Sequence, residues 1–213
     1  MRAGARIVAC LLGIVAATVG LPAQSDGPPS RRIWMLLDDD GTLLTYQRSA
    51  IETGVREIWA RYGVAVEWHD TVPRPEEWID LVLLVRIGDD SMARQSRKAA
   101  EPQTLGAVMW IPERDTFRQT IFVSPRAARR ILSRPGVLPD RVIIERIFGQ
   151  ALARIVAHEV GHIVLDMQGH APDGLMKAQF DAGDLVASAI DHLQLGATEL
   201  MRLHPPLALG DER

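Results

Sequence analysis

Cysteine is almost missing from this sequence, which has one, Cys10, in 213 residues. No disulfide can therefore form within the chain, and its stability must come from packing and, where ligand side chains gather, from a bound metal. A long apolar run is missing too: the stretch from Ile7 to Leu21 falls short of the roughly 20 residues a membrane-spanning helix needs. Nor is there a basic excess, because 24 Lys and Arg stand against 27 Asp and Glu, for a formal charge of −3. That balance excludes a surface built for DNA or RNA. Internal repeats and low-complexity tracts are absent, which excludes solenoids and arrays.

The N-terminus reads as an address. Arg2 and Arg6 precede the apolar stretch, and Pro22-Ala23-Gln24-Ser25 supplies a small-residue cleavage region, so residues 1–23 are read as a signal peptide cut near Ala23. Ile7-Val8-Ala9-Cys10 superficially matches a lipoprotein box, but the apolar run follows Cys10 instead of preceding it. The expected product is secreted or periplasmic, free of cysteine, two charge units more acidic than the full chain, without stable membrane insertion, and monomeric. Residues 24–31 are a Ser, Gly and Pro-rich lead-in, 32–204 a single domain, and 205–213 a disordered tail.

Hydropathy patterning suggests a strand over Ile33–Leu37, extended or paired by Thr42–Tyr46 across an Asp-Gly turn. A helix over Ser49–Tyr62 follows, with Ile51, Val55, Ile58 and Trp59 inward and Gly63 closing it. Strands are expected at Val64–Trp68, Asp80–Ile87, Leu105–Ile111 and Gln119–Val123, with a polar loop over Gly88–Gln103. A short basic helix covers Pro125–Ser133, and a turn-rich connector runs to Pro139. Asp140 is placed to cap a long helix carrying Val142, Ile143, Ile147, Leu152 and Ile155. Two terminal helices are expected, over Asp181–Leu193 and Thr198–Leu203. The order strand, helix, four strands, long helix describes an α+β fold. A mixed sheet of about five strands packs on the long helix, with a small helical C-terminal subdomain.

The chemistry lies in that helix. Residues 158 to 162 read His-Glu-Val-Gly-His, between Ile155-Val156-Ala157 and Ile163-Val164-Leu165. On a helix, positions i and i+4 share a face, so both imidazoles can reach one metal ion and leave coordination open for water. Glu159 is then placed to take that water's proton. Burying two imidazoles and a carboxylate without a partner is costly, and a metal removes the cost. Downstream, Gly169-His170-Ala171-Pro172-Asp173-Gly174-Leu175-Met176 adds a third imidazole and a methionine in a turn-rich segment.

Taken together, these residues resemble the active-site stretch of metzincin metalloproteases, most closely matrixin-like ones and exported bacterial members of that group. The resemblance implies a metzincin-like zincin fold, Zn2+ held by His158, His162 and His170, Glu159 as general base, Met176 in the turn beneath the metal, and a protein or peptide substrate. The expected activity is that of a zinc metalloendopeptidase, with Leu105–Ile111 as the sheet edge that receives an extended substrate. In the family five residues separate the second and third histidines, the third of them glycine. Here seven intervene, and Leu165 stands in the glycine's place. Either Asp166 turns left-handed and ends the helix early, or the helix runs on until Gly169 breaks it.

Other readings stay open at this point. Glu199, on a terminal helix, and the nearer Asp166 and Asp173 are alternative third ligands, although Glu199 also reads as a solvated helix residue. Met176 also reads as plain core filling. His69, His192 and His204 are ordinary surface or satisfied histidines. A metzincin-shaped protein whose zinc is structural and does no catalysis is the main alternative function. More remotely, Leu37-Asp38-Asp39-Asp40-Gly41-Thr42-Leu43 resembles the nucleophile loop of haloacid dehalogenase-like phosphatases, with Asp38 as nucleophile, Asp40 as acid and Asp89-Asp90 imitating the magnesium loop. The interval between the two stretches is too short for the alternating units such a sheet requires, and the simpler reading is an Asp-Gly turn.

Overall fold

A computed structural model of the chain describes residues 31–74, 79–88, 104–110, 119–134, 141–187 and 193–204. Outside them lie the stretch read as a signal peptide with Cys10, most of the expected lead-in, most of the expected polar loop with Asp89-Asp90, the expected connector with Asp140, His192 and the expected tail. No helix among the described residues is long and apolar enough to cross a membrane.

Five strands form one sheet: β1 (Arg31–Asp38), β2 (Val64–His69), β3 (Leu81–Ile87), β4 (Gly106–Trp110) and β5 (Gln119–Val123), in the order β2-β1-β3-β5-β4. β1, β2, β3 and β5 are parallel, and β4 runs antiparallel to β5, where it forms one edge of the sheet. This is the expected mixed sheet. Parallel pairing of consecutive strands needs a crossover, which α1 (Thr45–Ala60) supplies between β1 and β2. α2 (Pro125–Leu132) follows β5, and then comes α3 (Arg141–Val164), the long helix.

Period-2 alternation sets the buried face. Ile33 and Met35, Val64 and Val66, Leu83, Val85 and Ile87, and Ile121 and Val123 join Ile51, Val55, Ile58 and Trp59 of α1 and Phe148, Leu152, Ile155 and Val156 of α3 in one apolar core. Burial of each such side chain contributes about 1.5–3 kcal/mol. The two helices touch closely. A Cβ on Gly54 would stand 2.7 Å from that of Ala153, and one on Gly149 would stand 2.7 Å from the Gln47 carbonyl oxygen. Buried Gln47 donates to the Glu145 carbonyl at 3.2 Å and to its carboxylate at 3.1 Å.

Three expectations are corrected. Thr42–Tyr46 is not a strand: the Asp-Gly turn forms, with Asp40 and Gly41 at φ +50° and +69° and the Thr42 amide on the Asp39 carbonyl at 2.9 Å. However, β1 already has parallel neighbours on both sides, which leaves no place for a hairpin partner. The chain enters α1 instead, four residues before the predicted Ser49, because the Gln47 side chain reaches back to the Leu44 amide at 3.1 Å and satisfies the start of the helix. Of the predicted Asp181–Leu193 helix the structure shows α4 (Ala182–Val186), opened by a reciprocal Asp181–Asp184 capping box, while 188–192 lie outside the described residues. It stops where Arg154 of α3 takes the Asp184 carbonyl at 2.8 Å and the Ala187 carbonyl beside it, drawing Ala187 out of the helical region. The last helix, α5 (Ala197–Leu203), falls where expected.

Candidate metal centre

α3 enters the core with Ala151 to Gly161 buried throughout, and its last two turns carry the motif. His158 and Glu159 are buried, each 6% exposed, His162 is half-buried and His170 is exposed, so the centre grades from protein interior to solvent. The helix ends at Val164. Asp166 takes φ +46°, the Asp166 amide reaches the Ile163 carbonyl at 3.2 Å, and the Met167 amide reaches the His162 carbonyl at 3.0 Å. This paired closure is the Schellman arrangement with aspartate in the left-handed position. Of the two routes open to the chain it takes the first, and Gly169 has no left-handed φ. Arg31 of β1 donates to the Val164 carbonyl at 2.8 Å, and Arg202 of α5 donates to that of Asp166 at 3.2 Å, which fixes the turn. Because glycine occupies this conformation without the Cβ penalty, Asp166→Gly should raise stability by about 1 kcal/mol, read as a higher denaturant midpoint with an unchanged slope.

The turn brings His170 back. One ligand nitrogen from each of His158, His162 and His170 lies within 4.8 Å of the other two, the only such group of three among the described residues. The His170 ring stacks at 5.3 Å from that of His158 and meets that of His162 edge-on at 4.9 Å. Glu199, Asp166 and Asp173 are not part of the group. Glu199 is buried, not solvated: it folds over Gly196, its Oε2 2.5 Å from where a Cβ there would lie. Of the remaining histidines, His69 stacks on Trp34 at 3.3 Å and His204 is exposed. Two aspartates of the phosphatase-like stretch are engaged elsewhere. Asp38 pairs with Arg86 at 3.2 Å, and Asp39 accepts from the Gly41 amide at 3.0 Å.

The donor set fits a divalent cation. His158 Nδ1 lies 2.7 Å from the Leu175 carbonyl and His162 Nδ1 lies 2.6 Å from that of Met167. A carbonyl only accepts, so each Nδ1 carries the hydrogen, and the ring's neutral form presents its lone pair at Nε2. Those two Nε2 atoms face one another at 3.1 Å. Nitrogens bound tetrahedrally at zinc distances stand roughly 3.3 Å apart. Two facing lone pairs repel, and a cation between them turns repulsion into ligation. Burial holds the His158 pKa down to about 4, and the nearby His162 and His170 add to the effect, so the ring stays neutral and able to coordinate. His170 is lowered by burial and by His162.

Two glycines missed in the sequence shape the centre. Gly161 lies between the motif histidines, and any Cβ there would overlap Met176 Sδ and come within 3.6 Å of Trp59 Cζ2. Met176 is thus pressed against the motif helix from beneath, 1% exposed. Gly106, at the start of the edge strand, leaves room for Glu159, whose Oε1 is 2.5 Å from the position of a Cβ there. An isolated glycine in a strand pattern is a usable sign of such close approach. Glu159 has no ion-pair partner among the described residues, and burial alone raises its pKa from 4.5 to about 8. Phe180, itself buried, meets the His158 ring edge-on at 5.3 Å.

No family model matches the sequence, and no curated protein does. Among solved structures the chain is similar to archaemetzincin from Methanopyrus kandleri, with 16% identity over 75% of this chain and 87% of that one and a TM-score of 0.40.

Proposed function

We propose that this chain is an exported zinc-dependent endopeptidase of metzincin type, matrixin-like in its motif, in which His158, His162 and His170 hold the zinc and Glu159 is the general base. One observation carries the reading: two imidazoles, each with Nδ1 committed to a backbone carbonyl, face each other through Nε2 at 3.1 Å, with a third ring beside them. A zinc ion held there would polarise a peptide carbonyl and make a water acidic near neutral pH. Glu159 accepts the attacking water's proton and delivers it to the leaving nitrogen. A dication nearby favours its ionised form, offsetting the burial that otherwise keeps it protonated. Gly106 places β4 against Glu159, so a substrate adding itself as a strand to this sheet edge would bring its backbone past the base. Met176 supports the helix between the two histidines.

A purely structural site would be closed by four protein ligands, whereas the group among the described residues stops at three and has a buried carboxylate next to it in sequence. Export rests on the leader of residues 1–23. The test is metal analysis of the purified protein together with digestion of a peptide library. One zinc per chain and cleavage that a chelator abolishes are expected, and a zinc-loaded protein that cleaves nothing overturns the catalytic reading. His170→Ala should weaken zinc binding at least as much as the 10- to 100-fold typical of losing an outer-shell partner, measured by competition with a chromophoric chelator. Unchanged affinity would remove His170 from the ligand set.

A further inference from the structure

We propose that Tyr62, at the end of α1 and remote in sequence from the motif, is a positioning residue that fixes the His158 ring through Leu195, Gln194 and Leu175. The inference rests on the zinc reading above. The direction in which a ligand imidazole presents one nitrogen is set by what its other nitrogen bonds. For His158 that partner is the Leu175 carbonyl, at 2.7 Å. Leu175 in turn takes its position from the segment before α5, since its amide donates to the Gln194 carbonyl at 3.1 Å. Gly174, at φ +71°, lies so close to that same carbonyl that no side chain fits between them.

The Gln194 peptide is fixed from its other side. The next amide, of buried Leu195, donates to the Tyr62 hydroxyl at 2.9 Å. Tyr62 itself is well anchored. It follows the last turn of α1, is succeeded by Gly63 at φ +72°, and meets the Trp59 ring edge-on at 6.1 Å. Trp59 also lies beside Gly161, its Cζ2 3.6 Å from where a Cβ there would stand, so the tyrosine ring and the motif helix pack on the same indole. The connection runs from Tyr62 through four backbone groups, the Leu195 amide, the Gln194 carbonyl and the Leu175 amide and carbonyl, to His158. Phenylalanine at position 62 would preserve the ring packing and leave the Leu195 amide without its acceptor.

The test compares the full-length wild type with Tyr62→Phe and with Ile51→Val, a mild truncation in the core of α1 away from the centre. Two metal readouts are followed: the rate of zinc loss to a chelator, and the visible absorption of the protein loaded with Co2+. Tyr62→Phe is expected to lose zinc several-fold faster, short of the 10- to 100-fold typical of a partner that bonds the ligand directly, and to shift the Co2+ bands, with Ile51→Val matching wild type in both. In the metal-free protein, amide exchange at Leu175 and Leu195 should quicken in Tyr62→Phe. If Tyr62→Phe behaves like Ile51→Val in metal retention, spectrum and Leu175 exchange, the positioning role is overturned while the zinc reading stands. If the wild type takes up no zinc, both fall.

Discussion

Glu159→Gln is expected to bind one zinc per chain as the wild type does and to hydrolyse peptides about 100- to 10,000-fold more slowly, the range typical of a lost general acid–base group. The amide nearly matches the carboxyl in shape, so the cradle at Gly106 and the histidines beside it should be undisturbed. The same variant carries a signature in the metal-free state. Burial raises the Glu159 pKa from 4.5 to about 8, so the folded chain binds the proton more tightly than the unfolded one, and the resulting stability is lost as pH rises through that interval. His158 works in the opposite sense. Its pKa falls from 6.5 to about 4, so stability is lost as pH drops through that window. Below about pH 6.5 the two trends oppose each other, and between about 6.5 and 8 only the glutamate contributes. Denaturant titrations of the metal-free protein should therefore show stability declining across that upper interval, and Glu159→Gln should flatten the decline. Retained hydrolysis in the variant would remove Glu159 from the chemistry. An unchanged pH slope would mean that the carboxyl is not held protonated.

Gly174→Ala is expected to cost several kcal/mol and to abolish tight zinc binding. Its φ of +71° strains any L side chain by about 1–2 kcal/mol, and the added methyl would overlap the Gln194 carbonyl oxygen, a backbone atom that cannot rotate aside. Relief requires the turn from Ala171 to Met176 to separate from the 193–196 segment, and the Leu175 carbonyl moves with it. Differential scanning calorimetry with and without zinc measures both losses. A near-wild-type midpoint with normal zinc affinity would show that the turn accommodates a side chain and does not fix His158.

The metal centre was far more legible in the sequence than its supports. His158, Glu159 and His162 follow from helical periodicity within an apolar run, and His170 from the turn-rich segment after it, because ligand chemistry restricts which residue types can occur. The seven-residue gap before His170 left two routes open, since the left-handed preferences of Asp166 and Gly169 are both local and the choice is made by distant partners, Arg31 and Arg202. The strands were legible from alternation, and Gly106–Trp110 of the expected Leu105–Ile111 form the edge strand β4. The error at Thr42–Tyr46 has a physical origin. A turn sequence specifies the reversal but not whether the neighbouring sheet position is free, and here it is filled by a strand that comes later in the chain. Periodicity over Asp181–Leu193 suggests one helix and does not reveal that buried Arg154 captures the Asp184 and Ala187 carbonyls, where α4 ends. Gly106, Gly161 and Tyr62 act through what lies against them, which no local pattern encodes.

The close seating of α3 on α1, through Gly54 with Ala153, Gly149 with Gln47, and Gln47 with Glu145, has a dynamic consequence. Helices in backbone-to-backbone proximity can neither slide nor roll without colliding, so the first two histidines belong to a stiff frame. The third histidine has a different setting: it comes from the exposed segment beyond Val164, whose place against the frame depends on the turn that Arg31 and Arg202 hold.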